Sequence, residues 1–272
     1  MNMASKAKNA ALSAAVKQAL GYLEKDPETN LPKLMELVDK VVPNGWYTSQ
    51  RDAIRHAISD KNNNWYQLIM KLYALDPGVR KAFFRNFILN ASLLGSATQD
   101  ETAKREGCNI PWAILLDPTS ACNLHCTGCW AAEYGNKLNL TFEELDSIIT
   151  QGKALGTYMY IFTGGEPLVR KKDVIALCEK HSDCEFLSFT NGTLIDEDFC
   201  REMLRVKNFV PAISLEGFED ANDGRRGQGV YEKVRQAMAL LKAHGLPFGI
   251  STCYTSANWQ DVSSEAYFDQ II

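Results

Sequence analysis

Cys122, Cys126 and Cys129 stand in the run Ala-Cys-Asn-Leu-His-Cys-Thr-Gly-Cys-Trp over residues 121–130, a C-x3-C-x2-C spacing. Thiolate sulfur is a soft ligand, and three thiolates on one short loop can hold three irons of a cubane iron–sulfur cluster. No fourth cysteine lies nearby, which leaves the fourth iron open to an outside ligand. An open iron is a place for chemistry, whereas a fully ligated cluster mostly carries electrons. The spacing alone admits a second metal. Zinc sites pair Cys with Cys or His, and His125, between two of the cysteines, could complete one.

The elements around this loop alternate. Residues 111–116 form a β-type run that ends at Asp117-Pro118, so the cysteine loop follows a strand. Further strands are expected at 158–163, 185–190, 209–215 and 247–255, with helices at 141–155, 172–181, 196–206, 231–244 and 260–272. Thr141-Phe-Glu-Glu144 opens the first of these helices as a capping box. Strand–helix alternation implies an α/β fold of parallel strands joined by crossovers, with the site at the C-terminal ends of the strands. The second strand ends in Gly164-Gly165-Glu166-Pro167, the third in Thr190-Asn191-Gly192 and the fourth in Ser214-Leu215-Glu216-Gly217, so every motif falls at that end. Asn-Gly is equally a common turn.

Taken together, the cysteine loop and the Gly-Gly-Glu-Pro strand end resemble the radical S-adenosylmethionine (radical SAM) superfamily. The resemblance covers roughly residues 110–272, and the later motifs are nearest its peptide-modifying and molybdenum-cofactor-biosynthesis-like branch. It implies a [4Fe–4S] cluster on Cys122, Cys126 and Cys129, with the amino and carboxylate groups of SAM on the fourth iron. It implies that Gly164, Gly165, Glu166 and Pro167 line the SAM amino group, with Glu166 accepting a hydrogen bond from it. Trp130 takes the place of an aromatic that meets the adenine, with ordinary packing as the alternative. Asn191 is placed for a polar contact, and Ser214 for the SAM ribose or carboxylate. Glu216 stands where the family has Asp, a position that implies contact with substrate or the SAM ribose. In Asn222-Asp-Gly-Arg-Arg-Gly227, Asn222 replaces a family His and Arg226 matches the arginine that pairs with the SAM carboxylate, a role suited to bidentate geometry. Cys253 and Tyr254 lie near the end of the fifth strand, where either could return a hydrogen atom to a substrate radical, and Asn258 just beyond is placed to contact SAM or substrate. The implied reaction is one-electron cleavage of SAM to methionine and a 5′-deoxyadenosyl radical that takes hydrogen from a small-molecule or peptide substrate. The electron comes from a donor such as flavodoxin or ferredoxin. Rival readings are an iron–sulfur electron-transfer protein and a non-catalytic SAM-binding module.

The implied fold is a partial (β/α)6 TIM-like barrel, of which about five βα units are present, so the core over 106–272 is expected to be incomplete at its C-terminus. Residues 1–105 lack strand alternation and are expected to be helical at 4–25, 31–41, 48–59, 64–75 and 78–94, with a polar linker over 97–107. A net charge of −4 with no basic block gives no indication of nucleic-acid binding. The remaining cysteines of the eight, Cys108, Cys178, Cys184, Cys200 and Cys253, are isolated, which argues against a secreted disulfide framework. No run of 18 apolar residues marks a transmembrane segment and no apolar stretch follows the basic start, so a cytoplasmic protein is expected.

Overall fold

Five parallel strands run side by side in the order β1 to β5: Ala113–Thr119, Met159–Gly164, Glu185–Thr190, Phe209–Ser214 and Gly249–Ser251. This is a computed structural model that describes residues 14–15, 18–19, 21–41 and 48–271. The described residues up to Lys81 make one compact unit, and those from Ala82 onward make the other. The division between these units falls between Lys81 and Ala82.

In the first unit, helices α1 (Pro27–Val41), α2 (Thr48–Ser59) and α3 (Asn64–Tyr73) bury Met35, Ile58 and Tyr66 against one another. Asp39 of α1 accepts from both Arg51 (2.9 Å) and Arg55 (3.1 Å) of α2. The helix expected at 4–25 lies largely outside the described residues. Helix α4 is Pro77–Phe83.

The polar stretch expected as a linker is instead helix α5, Ser96–Glu106, which continues from a π-helix over Phe84–Gly95. Its composition concealed it, because the positions it buries are Gln99 and Thr102 and not apolar residues. Gln99 Nε2 donates to Gly156 O at 2.9 Å, so the buried amide is satisfied. Gly107, at φ 69°, ends the helix in the left-handed region that glycine adopts freely.

The strands alternate with helices α6 (Phe142–Leu155), α7 (Lys171–Lys180), α8 (Glu197–Val206) and α10 (Val230–Ala243). Short helix α9 (Glu219–Arg226) follows β4, outside the helices expected from the sequence. The Thr141–Glu144 capping box opens α6 as expected. One face of the sheet packs on helices through Tyr160, Phe162, Phe186 and Phe209, each 0–2% exposed. The other face carries Leu115, Ile161, Leu187 and Val210 in register across four strands. That face is open, with Leu115 57% and Phe189 38% exposed.

Three boundaries differ from expectation. β1 runs through Asp117 and Pro118 with a register shift, and the Leu140 carbonyl that faces the missing N–H of Pro118 accepts from Arg170 Nη1 instead. β5 is three residues long, because beyond Ser251 the backbone bonds to side chains, Cys253 N donating to Glu216 Oε2 at 2.7 Å. The final helix breaks at Ser263 and Ser264 into α11 (Trp259–Val262) and α12 (Glu265–Ile271), with Ser264 Oγ accepting from Tyr267 N.

Candidate active site

The cysteine loop is pinned by the ends of three neighbouring strands and by α9. At its base, Ser120 N donates to Leu138 O (2.8 Å) and Leu140 N to Pro118 O (3.2 Å), so the chain after the loop returns antiparallel along β1. From β2, Gly165 N donates to Thr119 O (2.9 Å) and Glu166 N to Ala121 O (2.8 Å). From β3, Asn191 Nδ2 donates to Asn123 Oδ1 (2.9 Å) and lies 4.0 Å from Cys122 Sγ, while Asn123 Nδ2 donates to Thr193 Oγ1. From α9, Thr127 N donates to Arg225 O at 2.8 Å. A ten-residue loop is thus held at four places by groups that arrive from separate elements.

The glycines have a local reason. A Cβ on Gly165 would sit 2.2 Å from Ala121 O, and one on Gly164, at φ 105°, would sit 2.7 Å from Thr119 O. The strand end closes on the backbone of the cysteine loop itself, and only glycine permits that approach.

Two buried carboxylates brace the strand ends. Glu166 is 1% exposed, and its oxygens accept from Leu168 N (2.9 Å), Thr190 Oγ1 (2.7 Å) and Asn191 N (2.7 Å). About three of its four acceptor positions are therefore taken within the fold. Burial pushes the Glu166 carboxyl up, against the pull of those hydrogen bonds. Pro167, also buried, starts a 3₁₀ turn over Pro167–Arg170. Glu216 is fully buried and accepts from Arg225 Nη1 (2.7 Å), Arg226 Nε (3.1 Å), Arg226 Nη2 and Cys253 N (2.7 Å). Its backbone is held by Asn222 Oδ1 and Asn258 Nδ2. Glu216 therefore joins β4, α9 and the chain after β5. Asn222 and Asn258 serve that brace, a role that their polar type at a strand end signalled only generically.

Cys122, Cys126 and Cys129 are each half-buried. Burial pushes the Cys122 thiol up, and Glu166 adds to the shift. Burial also raises Cys126, while Arg226 and Arg225 pull it down. His125 is exposed, and no hydrogen bond from the described residues reaches it. No three His, Cys, Asp or Glu side chains among the described residues converge on one point as a single ion would require. Ser214 is half-buried on the open face, paired in register with Ser251.

The sequence model of the radical SAM superfamily matches residues 116–264, more than half of the 272. The chain belongs to the radical SAM superfamily. A curated relative, Fe-coproporphyrin III synthase of Methanosarcina barkeri, is 28% identical over 162 residues, covering 57% of this chain and 40% of its own. The structure of anSMEcpe with bound AdoMet and Kp18Cys peptide superposes with a TM-score of 0.51 at 26% identity, over 58% of this chain and 48% of that one. Streptococcus suis SuiB bound to S-adenosylmethionine, at 20% identity and a TM-score of 0.53, shares the fold over 62% of this chain and 40% of its own. The matched region thus spans about half or less of these proteins' length. The five-stranded parallel sheet is the partial barrel of radical SAM proteins, whose cofactors are a [4Fe–4S] cluster and SAM.

The residues present fit that cofactor pair. Three half-buried thiols lie on one loop with no fourth cysteine ligand at hand. Desolvated thiolates beside Glu166 are unfavourable by themselves, and a cationic iron centre offsets that cost.

Beside the loop, a cavity of about 710 Å³ opens along the β1 edge, walled by Leu115, Asp117, Trp130, Tyr134 and Leu138. Trp130, 57% exposed, packs edge-on against Tyr134 at 5.8 Å between ring centroids. Asp117 had been read only as the end of a strand; its place in this cavity follows from β1 running on past it. No helix among the described residues is long and apolar enough to cross a membrane.

Proposed function

We propose that this chain is the catalytic core of an enzyme that cleaves SAM reductively and uses the resulting radical to take hydrogen from an organic substrate. The observation that carries the reading is the loop of three half-buried cysteines, held at four places by β1, β2, β3 and α9. When bound at Cys122, Cys126 and Cys129, a [4Fe–4S] cluster with SAM supplies one-electron cleavage of the sulfonium to methionine and a 5′-deoxyadenosyl radical.

The chain's own residues bind and orient. Arg226 is anchored on Glu216 through Nε and Nη2, which leaves Nη1 for the carboxylate of SAM. Glu166 acts as the brace that aligns β2 and β3, and the backbone at Gly164, Gly165 and Pro167 is left to meet the SAM amino group. Ser214, with a hydroxyl free of hydrogen bonds from the described residues, faces the opening for the ribose. Asn191 holds Asn123 and steadies the loop at Cys122. An electron donor of the flavodoxin or ferredoxin type completes the reaction. The relatives differ in what their names say they make or bind, a porphyrin in one and a peptide in another, so their substrates do not pass to this chain.

The test is cofactor content after anaerobic reconstitution with iron and sulfide. The expected result is about four irons per chain, lost in Cys122→Ala, Cys126→Ala and Cys129→Ala alike. One tightly held zinc, insensitive to added iron, would refute it.

A further inference from the structure

The stem of the cysteine loop is a short antiparallel pairing of β1 with residues 138–140, bridged at Thr119 and Asn139. In such a ladder the flanking pairs, Ser120 with Leu138 and Pro118 with Leu140, would each exchange two N–H···O bonds. Ser120 N donates to Leu138 O at 2.8 Å, and the return bond runs from Leu138 N to Ser120 Oγ at 3.1 Å. Leu140 N donates to Pro118 O at 3.2 Å, but Pro118 has no N–H with which to answer. The Leu140 carbonyl is met instead by Arg170 Nη1, whose other hydrogen goes to Pro118 O at 2.6 Å. One nitrogen thus donates to both carbonyls of the incomplete pair. The rest of the guanidinium is fixed, with Nε 2.8 Å and Nη2 2.7 Å from Asp173 Oδ2, and the side chain is 17% exposed. Arg170 ends the 3₁₀ turn over Pro167–Arg170, directly after Gly164-Gly165-Glu166. It therefore ties the stem of the cysteine loop to the segment that leaves β2. A charged donor on a carbonyl shielded from water makes a stronger bond than the peptide N–H it replaces.

We propose that Arg170 is a positioning residue for the cofactor site. It supplies the rung that Pro118 cannot, and so fixes the cysteine loop relative to the Gly-Gly-Glu-Pro segment, the two parts that a cluster and SAM would share. None of its hydrogen bonds goes to a cysteine sulfur; it acts through the backbone on either side of the loop. The inference rests on the cofactor reading above, but the rung itself is measured without iron.

The test is a cycle of Arg170→Met, Pro118→Ala and the two combined, in the full chain. In iron-free protein, hydrogen exchange of the Ser120 and Leu140 amides reports opening of the stem. Arg170→Met should speed both about tenfold and leave the β4 amides unchanged. Pro118→Ala restores an N–H opposite Leu140 O, and in the double variant it should cancel most of that acceleration. After anaerobic reconstitution, loss of iron to a ferrous chelator should follow the same order, about tenfold faster in Arg170→Met and largely recovered in the double variant. Should Arg170→Met hold no iron at all, a double variant that holds it supports the proposal, and one that does not overturns it. Unchanged stem exchange in Arg170→Met, or the same acceleration with and without Pro118, would also overturn it. So would equal acceleration of the β4 amides, which would make Arg170 a brace of the whole fold, or an opened stem that keeps its iron as the unmutated chain does. An unmutated chain that takes no cluster would remove the cofactor reading and leave the exchange cycle standing; a cluster held alike by all four proteins would do the reverse.

Discussion

Glu185 opens β3 with 2% exposure, and no hydrogen bond reaches either carboxylate oxygen from the described residues. Its neighbours on the π-helix are engaged elsewhere. Asn86 Nδ2 donates to Cys184 O (2.8 Å) and Ser182 O (3.1 Å), and Arg85 Nη2 donates to Ser182 O (2.6 Å). Burial pushes the Glu185 carboxyl up to about 8, with Asn86 and Arg85 close enough only to moderate the shift. The folded protein therefore keeps a proton at neutral pH that the unfolded chain, with its carboxyl near 4.5, has released. The folded state binds more protons, so this group's contribution to stability falls as pH rises from about 4.5 to about 8 and is level beyond. At about 1.4 kcal/mol per pH unit, and allowing for the bend at each end, the loss between about pH 5.5 and 7.5 is about 2.5 kcal/mol. Glu185→Gln keeps the shape and removes the titration. Urea unfolding of both proteins at the two pH values, read by hydrogen exchange of the β3 amides, isolates the difference. The wild type should lose about 2.5 kcal/mol more than the variant over that interval. Equal pH slopes would refute the buried, neutral carboxyl.

Four other substitutions test how the site is held. Gly165→Ala drives a methyl into Ala121 O and should cost about 1–3 kcal/mol and most of the iron content, whereas Gly224→Ala on α9, with open space around it, should be neutral or stabilising by up to about 1 kcal/mol; urea unfolding and iron assay read both. Glu216→Gln leaves Arg225 and Arg226 without their shared anion and should destabilise the protein by about 2–3 kcal/mol, less than a fully buried pair would because Arg225 keeps 22% of its side-chain exposure. His125→Ala should leave iron content unchanged, since His125 is exposed and no hydrogen bond from the described residues reaches it; a large loss would return it to the ligand set.

What was legible in the chain was what local chemistry announces. The cysteine spacing, the β-rich runs and the capping box at Thr141 each declare themselves within a few residues, and all five strands start within about two residues of their expected starts. Helix α5 was not legible, because it is anchored by Gln99 on a carbonyl 57 residues away and not by an apolar stripe. The same holds for the acids. Glu166 and Glu216 stand at strand ends as ligands would, yet their partners, Thr190 and Asn191 for one and Arg225, Arg226 and Cys253 for the other, come from different elements that only the folded chain brings together. Pro118 marked a strand end by its missing N–H, but β1 is the edge of the five-stranded sheet, and on its outer side Arg170 Nη1 donates to the Leu140 carbonyl that the N–H would have met.

The most direct measurement is formation of 5′-deoxyadenosine by the anaerobically reconstituted, reduced chain given SAM. The account predicts the product with the unmutated protein and none with Cys126→Ala. A chain that assembles its cluster and binds SAM yet forms no 5′-deoxyadenosine would contradict it.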